Sequence, residues 1–440
     1  MTGIDVGLAS IAVIVGLIYL GLYVPIALGL VSFAGVWILR GDIDMPVALL
    51  TLAIGDTVSN QVFATIPLFA LMGLFVGQAG LGRDVYDVAN YVFRRVRGGL
   101  GIATVAANAV FAAITGSSIA SATVFTRISV PEMRRYGYTR KFAVGVVAGS
   151  SVLGMLIPPS AMLIIYAIVA EQSVGHMFIA GIVPGLLLAV AYGAMIVAVA
   201  TWMPRFVTLP GSCGVAEDAA GDLSAAAAAA KLAPIAALVL VVLGGIYGGV
   251  VTPVEAGAEG SLVALAITAL KGQASPRAIW RVLVETGHIS AVILFLIIAA
   301  SMYSRMLGVA ALPTTFGEWL QGLDLGFTAV MALYVVMLIV LGTILDTASI
   351  ILIVVPLFLP AIEAFGGDLV WFGIVTVVGA EIGLLTPPLG LSCFAIKSTI
   401  EDPEVTLYDI FAGAFPFAVT MLVVLVALIA YPALSLVLVY

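Results

Sequence analysis

The chain has 440 residues, 63% of them hydrophobic and 9% charged, against about 25% charged for a soluble domain. Seventeen Lys and Arg against twenty-four Asp and Glu leave a net charge of −7, which excludes the basic face a nucleic-acid partner needs. Cys213 and Cys393 lie far apart and the chain holds two His, so neither a disulfide framework nor a zinc site is supported.

The runs Val6 to Leu39, Leu232 to Val254 and Ile410 to Tyr440 are long enough to cross a hydrocarbon core, which takes about 20 apolar residues. They lack barrel-type alternation, so the expected fold class is an all-α polytopic membrane protein. No Lys or Arg precedes Arg40, so the charged start of a cleaved leader is missing and the first helix is expected to be retained. Residues 41–56 follow as a loop holding Asp42, Asp44 and Asp56 and no basic residue. Two basic clusters come next, Arg83, Arg94, Arg95 and Arg97, then Arg127, Arg134, Arg135, Arg140 and Lys141. Loop Lys and Arg favour the cytoplasm. The uncharged stretch between the clusters therefore leaves and re-enters on one side, a re-entrant hairpin over 98–132 that turns at Gly116-Ser117-Ser118.

A broken helix is predicted over 140–171. Pro158-Pro159 removes an amide donor and biases Pro158 out of the helical region, which frees the carbonyls of Gly154 to Ile157 to coordinate. The polar stretch 204–231, with three acidic residues and an Ala run, reads as a linker between a first unit, 1–203, and a second, 232–440. In the second unit no Lys or Arg occurs from Met306 to Ile396, while Glu318, Asp324, Glu363 and Asp368 flank the apolar run. A hairpin over 326–363, turning near Leu345 to Ser349, should open to the outside. A second broken helix over 369–399 contains Gly383 to Gly390, with Thr386 before Pro387-Pro388.

The two units repeat one another. Gly154-Met155-Leu156-Ile157-Pro158-Pro159 returns as Gly383-Leu384-Leu385-Thr386-Pro387-Pro388 at an offset of 229 residues, and Ala120-Ser121 returns as Ala348-Ser349 at 228. Tyr136 to Thr139 returns as Phe365 to Asp368, Pro25 as Pro253, and Ala180-Gly181 with Pro184 as Ala412-Gly413 with Pro416. Opposite loop charge makes the repeat inverted, with about five spans plus one re-entrant hairpin in each half and both termini outside. Inverted repeats with broken elements are secondary-transporter architecture, with the substrate near the midplane.

At the first turn, the carbonyl end of one limb and the amide end of the next meet inside the membrane, attracting a cation and an anion respectively. Ser117, Ser118 and Ser121 either cap the returning helix, pack between close helices or lend hydroxyl oxygens to a hard cation. Asp346-Thr347 occupies the second turn. Buried acids are costly and often functional, so Asp346 and Glu381, beside the second pair of interruptions, suit sodium or proton coupling or else hydrogen-bonded helix glue. Glu255 and Glu259 suit a structural role, Arg305 snorkelling or an anionic substrate, and His176 and His288 are isolated. No His-Glu-x-x-His, paired-Asp or Ser-His-Asp constellation and no phosphate loop is found, so neither an enzyme nor an ATP-driven pump is expected.

Ile66-Pro67 to Gly73, Gly116-Ser117-Ser118, Gly137-Tyr138, Ile157 to Ser160, Ala180 to Gly185 and Thr386 to Gly390 together resemble the large membrane subunit of tripartite ATP-independent periplasmic (TRAP) transporters, over essentially the whole chain. The resemblance implies an elevator-type transporter of the ion transporter superfamily in the bacterial inner membrane, importing an organic acid (a carboxylate, dicarboxylate or sugar acid) with sodium ions as coupling ions and no other cofactor. It implies a periplasmic substrate-binding protein and a small membrane subunit of about four spans, expected on a separate chain. Sodium sites are implied at Gly116, Ser117 and Ser118 with Gly154, Ile157 and Pro158, and at Asp346 and Thr347 with Gly383, Thr386 and Pro387. Ser118, Ser121, Pro159, Ser160, Pro388 and Gly390 would lie near the substrate. Two sodium ions would neutralise a dicarboxylate and leave one positive charge with a monocarboxylate, a charge worth about 2.3 kcal/mol per 100 mV. A stand-alone sodium- or proton-coupled carboxylate transporter or antiporter of similar architecture is the alternative.

Overall fold

The computed structural model describes residues 2–209, 224–322, 326–400 and 402–440. Cys213, Asp324 and half of the expected linker, 210–223, lie outside them. In chain order the first half holds α1 (Gly3–Tyr19), α2 (Val24–Arg40), α3 (Asp44–Ser59), α4 (Thr65–Gln78), α5 (Leu81–Phe93), α6 (Gly99–Thr115), α7 (Ser118–Arg135), α8 (Arg140–Ser151), α9 (Ala161–Val169), α10 (Val174–Trp202) and the short α11 (Pro204–Val207). The second holds α12 (Ala225–Tyr247), α13 (Pro253–Leu270), α14 (Pro276–Val309), α15 (Leu312–Gly322), α16 (Phe327–Gly342), α17 (Thr347–Ala364), α18 (Leu369–Leu384), α19 (Leu391–Thr399), α20 (Leu407–Ala430) and the short α21 (Ala433–Leu436). Seven helical segments among the described residues are long and apolar enough to cross a membrane uninterrupted, and shorter apolar helices accompany them. The protein is an all-helical, polytopic membrane protein.

Local chemistry sets the helix ends. Thr139 and Asp368, 229 residues apart, each cap the helix that follows, α8 and α18. Just before them Gly137 and Gly366 take positive φ angles of 80° and 71°, a turn that glycine makes without a steric penalty. Pro25 and Pro253 both sit in the first turn of a helix, where a missing amide costs nothing. Glu255 closes a capping box with Thr252, accepting from the Thr252 amide at 2.7 Å, so its role is to start α13.

Two sequence expectations are corrected. Residues 225–231, read as linker, form the first turns of α12: Ala is the strongest helix former, and the Ser224 hydroxyl accepts from the Ala227 amide at 3.2 Å. The expected loop over 41–56 shrinks to Gly41–Ile43, because α3 begins at Asp44 and an acidic residue suits a helix N-terminus. The Arg305 guanidinium pairs with Asp56 of α3.

The helices pack as two sets. Helices α1–α4 pack with α12–α14, and α6–α10 pack with α16–α20. The Ser261 and Thr268 hydroxyls of α13 donate to the Leu68 and Phe75 carbonyls of α4 at 2.7 and 3.1 Å. Between the sets run α5 and α15, which in each half join the first set to the hairpin. Asp84 of α5 lies between Lys271 and Lys231 of the first set, and Asp87 pairs with Lys231 as well. In the second set Arg134, Arg140 and Lys141 pair with Asp402, Glu404 and Asp409 at 2.9, 2.7 and 3.7 Å. Both sets of pairs are partly exposed, where one ion pair is worth about 0.2–1 kcal/mol, so they align the elements more than they hold them. His176 and His288 are exposed.

Candidate functional site

The interruptions are built by capping. Helix α6 stops at Thr115 because Gly116 turns left-handed, φ 60°, and its amide bonds to the Ala112 carbonyl at 2.8 Å. Ser117 restarts the chain by accepting from the Ala120 amide at 3.2 Å, and Ser118, 1% exposed, is the first residue of α7. Helix α8 runs through a 3-10 turn at Val152–Met155 into Pro158-Pro159, a cis pair, and restarts at Ala161 behind Ser160. The second half uses the same devices. Helix α16 ends at Gly342, Asp346 caps α17 by accepting from the Ser349 amide at 3.2 Å, and Ser349 also donates its hydroxyl to Asp346. Beyond α18 comes a second cis pair, Pro387-Pro388, then Gly390 at φ 53°.

Each hairpin tip touches its own helix break. A Cβ on Gly116 would lie 3.2 Å from the Ala161 amide nitrogen. The Gly390 amide donates to the Thr343 carbonyl at 3.3 Å. Deeper in, the backbones are nearly in contact: a Cβ on Gly154 would collide with Ala112, and one on Gly342 would stand 2.7 Å from the Ala380 carbonyl oxygen and 2.9 Å from Gly383 Cα. The halves also interlock, because α7 packs on α19 and α17 packs on α9. Each returning hairpin limb thus lies against the helix that follows the other half's break.

The candidate residues fall into distinct environments. Gly116, Ser118, Gly154, Pro158, Pro159 and Ser160 are buried, whereas Pro387 and Pro388 are exposed and Ile157 and Thr386 are intermediate. Two hydroxyls placed near the substrate by sequence are spent internally. Ser121 donates to the Asn108 side-chain oxygen, and Ser160 donates to the Met155 carbonyl at 2.5 Å. Each hydroxyl has one proton, so in this arrangement neither has one left for a substrate carboxylate, and the Met155 carbonyl already accepts one bond. The Thr386 hydroxyl likewise donates to the Ile382 carbonyl at 2.7 Å.

Sequence reasoning missed Asn108 and Ser150. The Asn108 amide donates to the Ser150 hydroxyl at 2.7 Å while accepting from Ser121, so one buried side chain pins both hairpin limbs to the helix before the break. The signal was available, as Asn108 is the one amide side chain in the apolar α6. In the second half Thr347 donates to Glu381 Oε1 at 2.6 Å, again joining hairpin to broken helix. No group of three or more His, Cys, Asp or Glu among the described residues could hold a metal ion. The hydroxyl and backbone oxygens at the tips are of the kind that suits a hard ion.

The family model of the tripartite ATP-independent periplasmic transporter, DctM component, matches residues 11–434. The chain is 35% identical over 392 residues to the C4-dicarboxylate TRAP transporter large permease protein of Pseudomonas aeruginosa, covering 88% of each. It is 28% identical to the sialic acid TRAP transporter large permease protein of Vibrio cholerae over 383 residues, 87% of each. Its fold is similar to that of the YdaH transporter of Alcanivorax borkumensis, with a TM-score of 0.66, 14% identity and 89% of each chain covered.

Proposed function

We propose sodium-coupled import of an organic acid across the bacterial inner membrane for this chain, which belongs to the DctM family of tripartite ATP-independent periplasmic transporters and is their large membrane component, not an enzyme. The observation that carries the coupling is the twofold meeting of a capped hairpin tip with a helix break: Gly116 against Ala161, and Thr343 against Gly390. Helix ends that meet inside the membrane offer carbonyl oxygens to a cation and amides to an anion. One sodium ion is assigned to the tip Gly116, Ser117 and Ser118 with Gly154, Ile157 and Pro158. A second is assigned to Asp346 and Thr347 with Gly383, Thr386 and Pro387. The substrate carboxylate would lie between the tips and take its hydrogen bonds mainly from backbone amides, because the Ser121 and Ser160 protons are engaged.

The substrate class is an acid with at least one carboxylate, in keeping with the C4-dicarboxylate and sialic acid named for the two relatives. A periplasmic binding protein would deliver it and a small membrane subunit would flank this chain, in keeping with the tripartite family. The movement is an elevator: α6–α10 with α16–α20 would slide against α1–α4 with α12–α14, guided by α5 and α15. The pairing of Asp84 in α5 with Lys231 and Lys271 supports α5 as an arm held by the static set.

Ser118→Ala tests the first sodium site. It deletes one hydroxyl oxygen at a buried position and leaves the Ser117 cap intact. Uptake at limiting sodium is expected to fall at least about tenfold, since losing a hydrogen bond or ligand to a charged group costs about 1.5–3 kcal/mol, while the amount of protein in the membrane stays unchanged. A sodium-dependence curve identical to the wild type would remove Ser118 from the site.

A further inference from the structure

We propose that Glu381 is the fixed counter-charge of the second cation site and makes the two repeated sites chemically unequal. The inference rests on the sodium-coupled reading above and adds a residue and a binding order to it. Glu381 lies in the last turns of α18, two residues before Gly383, and is 1% exposed. One carboxyl oxygen accepts from Thr347, the first residue of the returning limb, at 2.6 Å. The other has no hydrogen-bond partner among the described residues, and no Lys, Arg or His there forms an ion pair with Glu381. A carboxylate buried in this way is strongly disfavoured unless a proton or another positive charge joins it. With no fixed cation paired to it, the charge that fits is a mobile one, arriving where the hairpin tip and the helix break meet.

Asp346 is the less available of the two carboxylates. Both its oxygens are engaged by Ser349, one by the amide at 3.2 Å and one by the hydroxyl. At the offset of 229 residues Thr347 matches Ser118. The two sites then differ in charge at two positions, Asp346 standing where the first half has Ser117 and Glu381 where it has Val152, which is also fully buried. The first site is neutral where the second holds a carboxylate, so the second binds sodium more tightly and fills first.

The test is sodium titration of the purified, reconstituted complex, read by binding of radioactive sodium and by uptake. The wild type should bind sodium with two affinities at least about tenfold apart. Glu381→Gln, which keeps an oxygen for Thr347 and removes the charge, should raise the sodium concentration for half-maximal uptake at least about tenfold and abolish the tighter phase. Its melting temperature in sodium-free buffer should be no lower than that of the wild type. Glu381→Asp should fall nearer the wild type. Wild-type sodium curves for Glu381→Gln would overturn the inference and leave sodium coupling standing. Two equal affinities in the wild-type complex would overturn it even if the variant fails to fold. A wild type indifferent to sodium would overturn the inference together with the reading beneath it.

Discussion

Gly413→Leu is expected to yield no folded protein. Helices α8 and α20 cross with their backbones in contact: a Cβ on Gly413 would collide with the Lys141 carbonyl and stand 2.9 Å from Gly145 Cα. A Cβ on Gly145 would collide with the Gly413 carbonyl in turn. Overpacking usually costs about 1–3 kcal/mol because side chains can turn aside. Here the obstacle is backbone, so the helices would have to separate along a contact that membrane proteins build from small residues to gain close packing. The loss reaches the site, because α8 carries Ser150 and leads into the first break. The measurement is fluorescence-detected size-exclusion chromatography of the solubilised protein, where the monodisperse peak should disappear. Gly29→Ala is the control: nothing stands within 4 Å of a Cβ at Gly29, and the peak should be unchanged or sharper. A monodisperse Gly413→Leu protein would contradict the packing described for α8 and α20.

The second large effect separates capping from charge at the second tip. Asp346→Ala removes the acceptor for the Ser349 amide and hydroxyl, and loss of an N-cap costs about 0.5–2 kcal/mol. The tip is also held against the Gly390 amide through Thr343, so a frayed first turn of α17 would displace Thr347 and the break together. Uptake by Asp346→Ala should fall at least about tenfold. Asp346→Asn should retain most of it, since Asn caps a helix as well as Asp does. Equal losses in both variants would show that the Asp346 charge itself is required. That outcome would place the counter-charge of the second site at Asp346 as well as at Glu381.

Much of the fold was legible because its main signals are local. Pro-Pro pairs break helices wherever they occur, and the breaks fall at Pro158-Pro159 and Pro387-Pro388 between α8 and α9 and between α18 and α19. The uncharged stretch between the two Arg clusters holds α6 and the first half of α7, joined at Gly116-Ser117, and the run free of Lys and Arg holds α16 and α17. The errors arose where a residue type has two local meanings. Ala227 to Lys231 looked like low-complexity linker and is helix, and Asp44 looked like a loop residue and opens α3.

The site was legible as segments and not as bonds. Ser121 and Ser160 were recognisable as polar groups beside interruptions, but which way each proton points depends on Asn108 and Met155. Thr347 and Glu381 stand 34 residues apart, a spacing that no helical or strand period relates. Arg305 found Asp56 across 249 residues, so its partner could be learned only from the packing of α14 on α3.

The central claim is that sodium and a binding protein together drive substrate through this chain. The most direct test measures uptake of labelled organic acids into proteoliposomes holding this chain and its small subunit, with and without the cognate periplasmic binding protein, under an inward sodium gradient or an equal potassium gradient. Uptake is expected only when sodium and the binding protein are both present. Uptake under sodium that proceeds equally well without the binding protein, or uptake under potassium alone, would contradict the account.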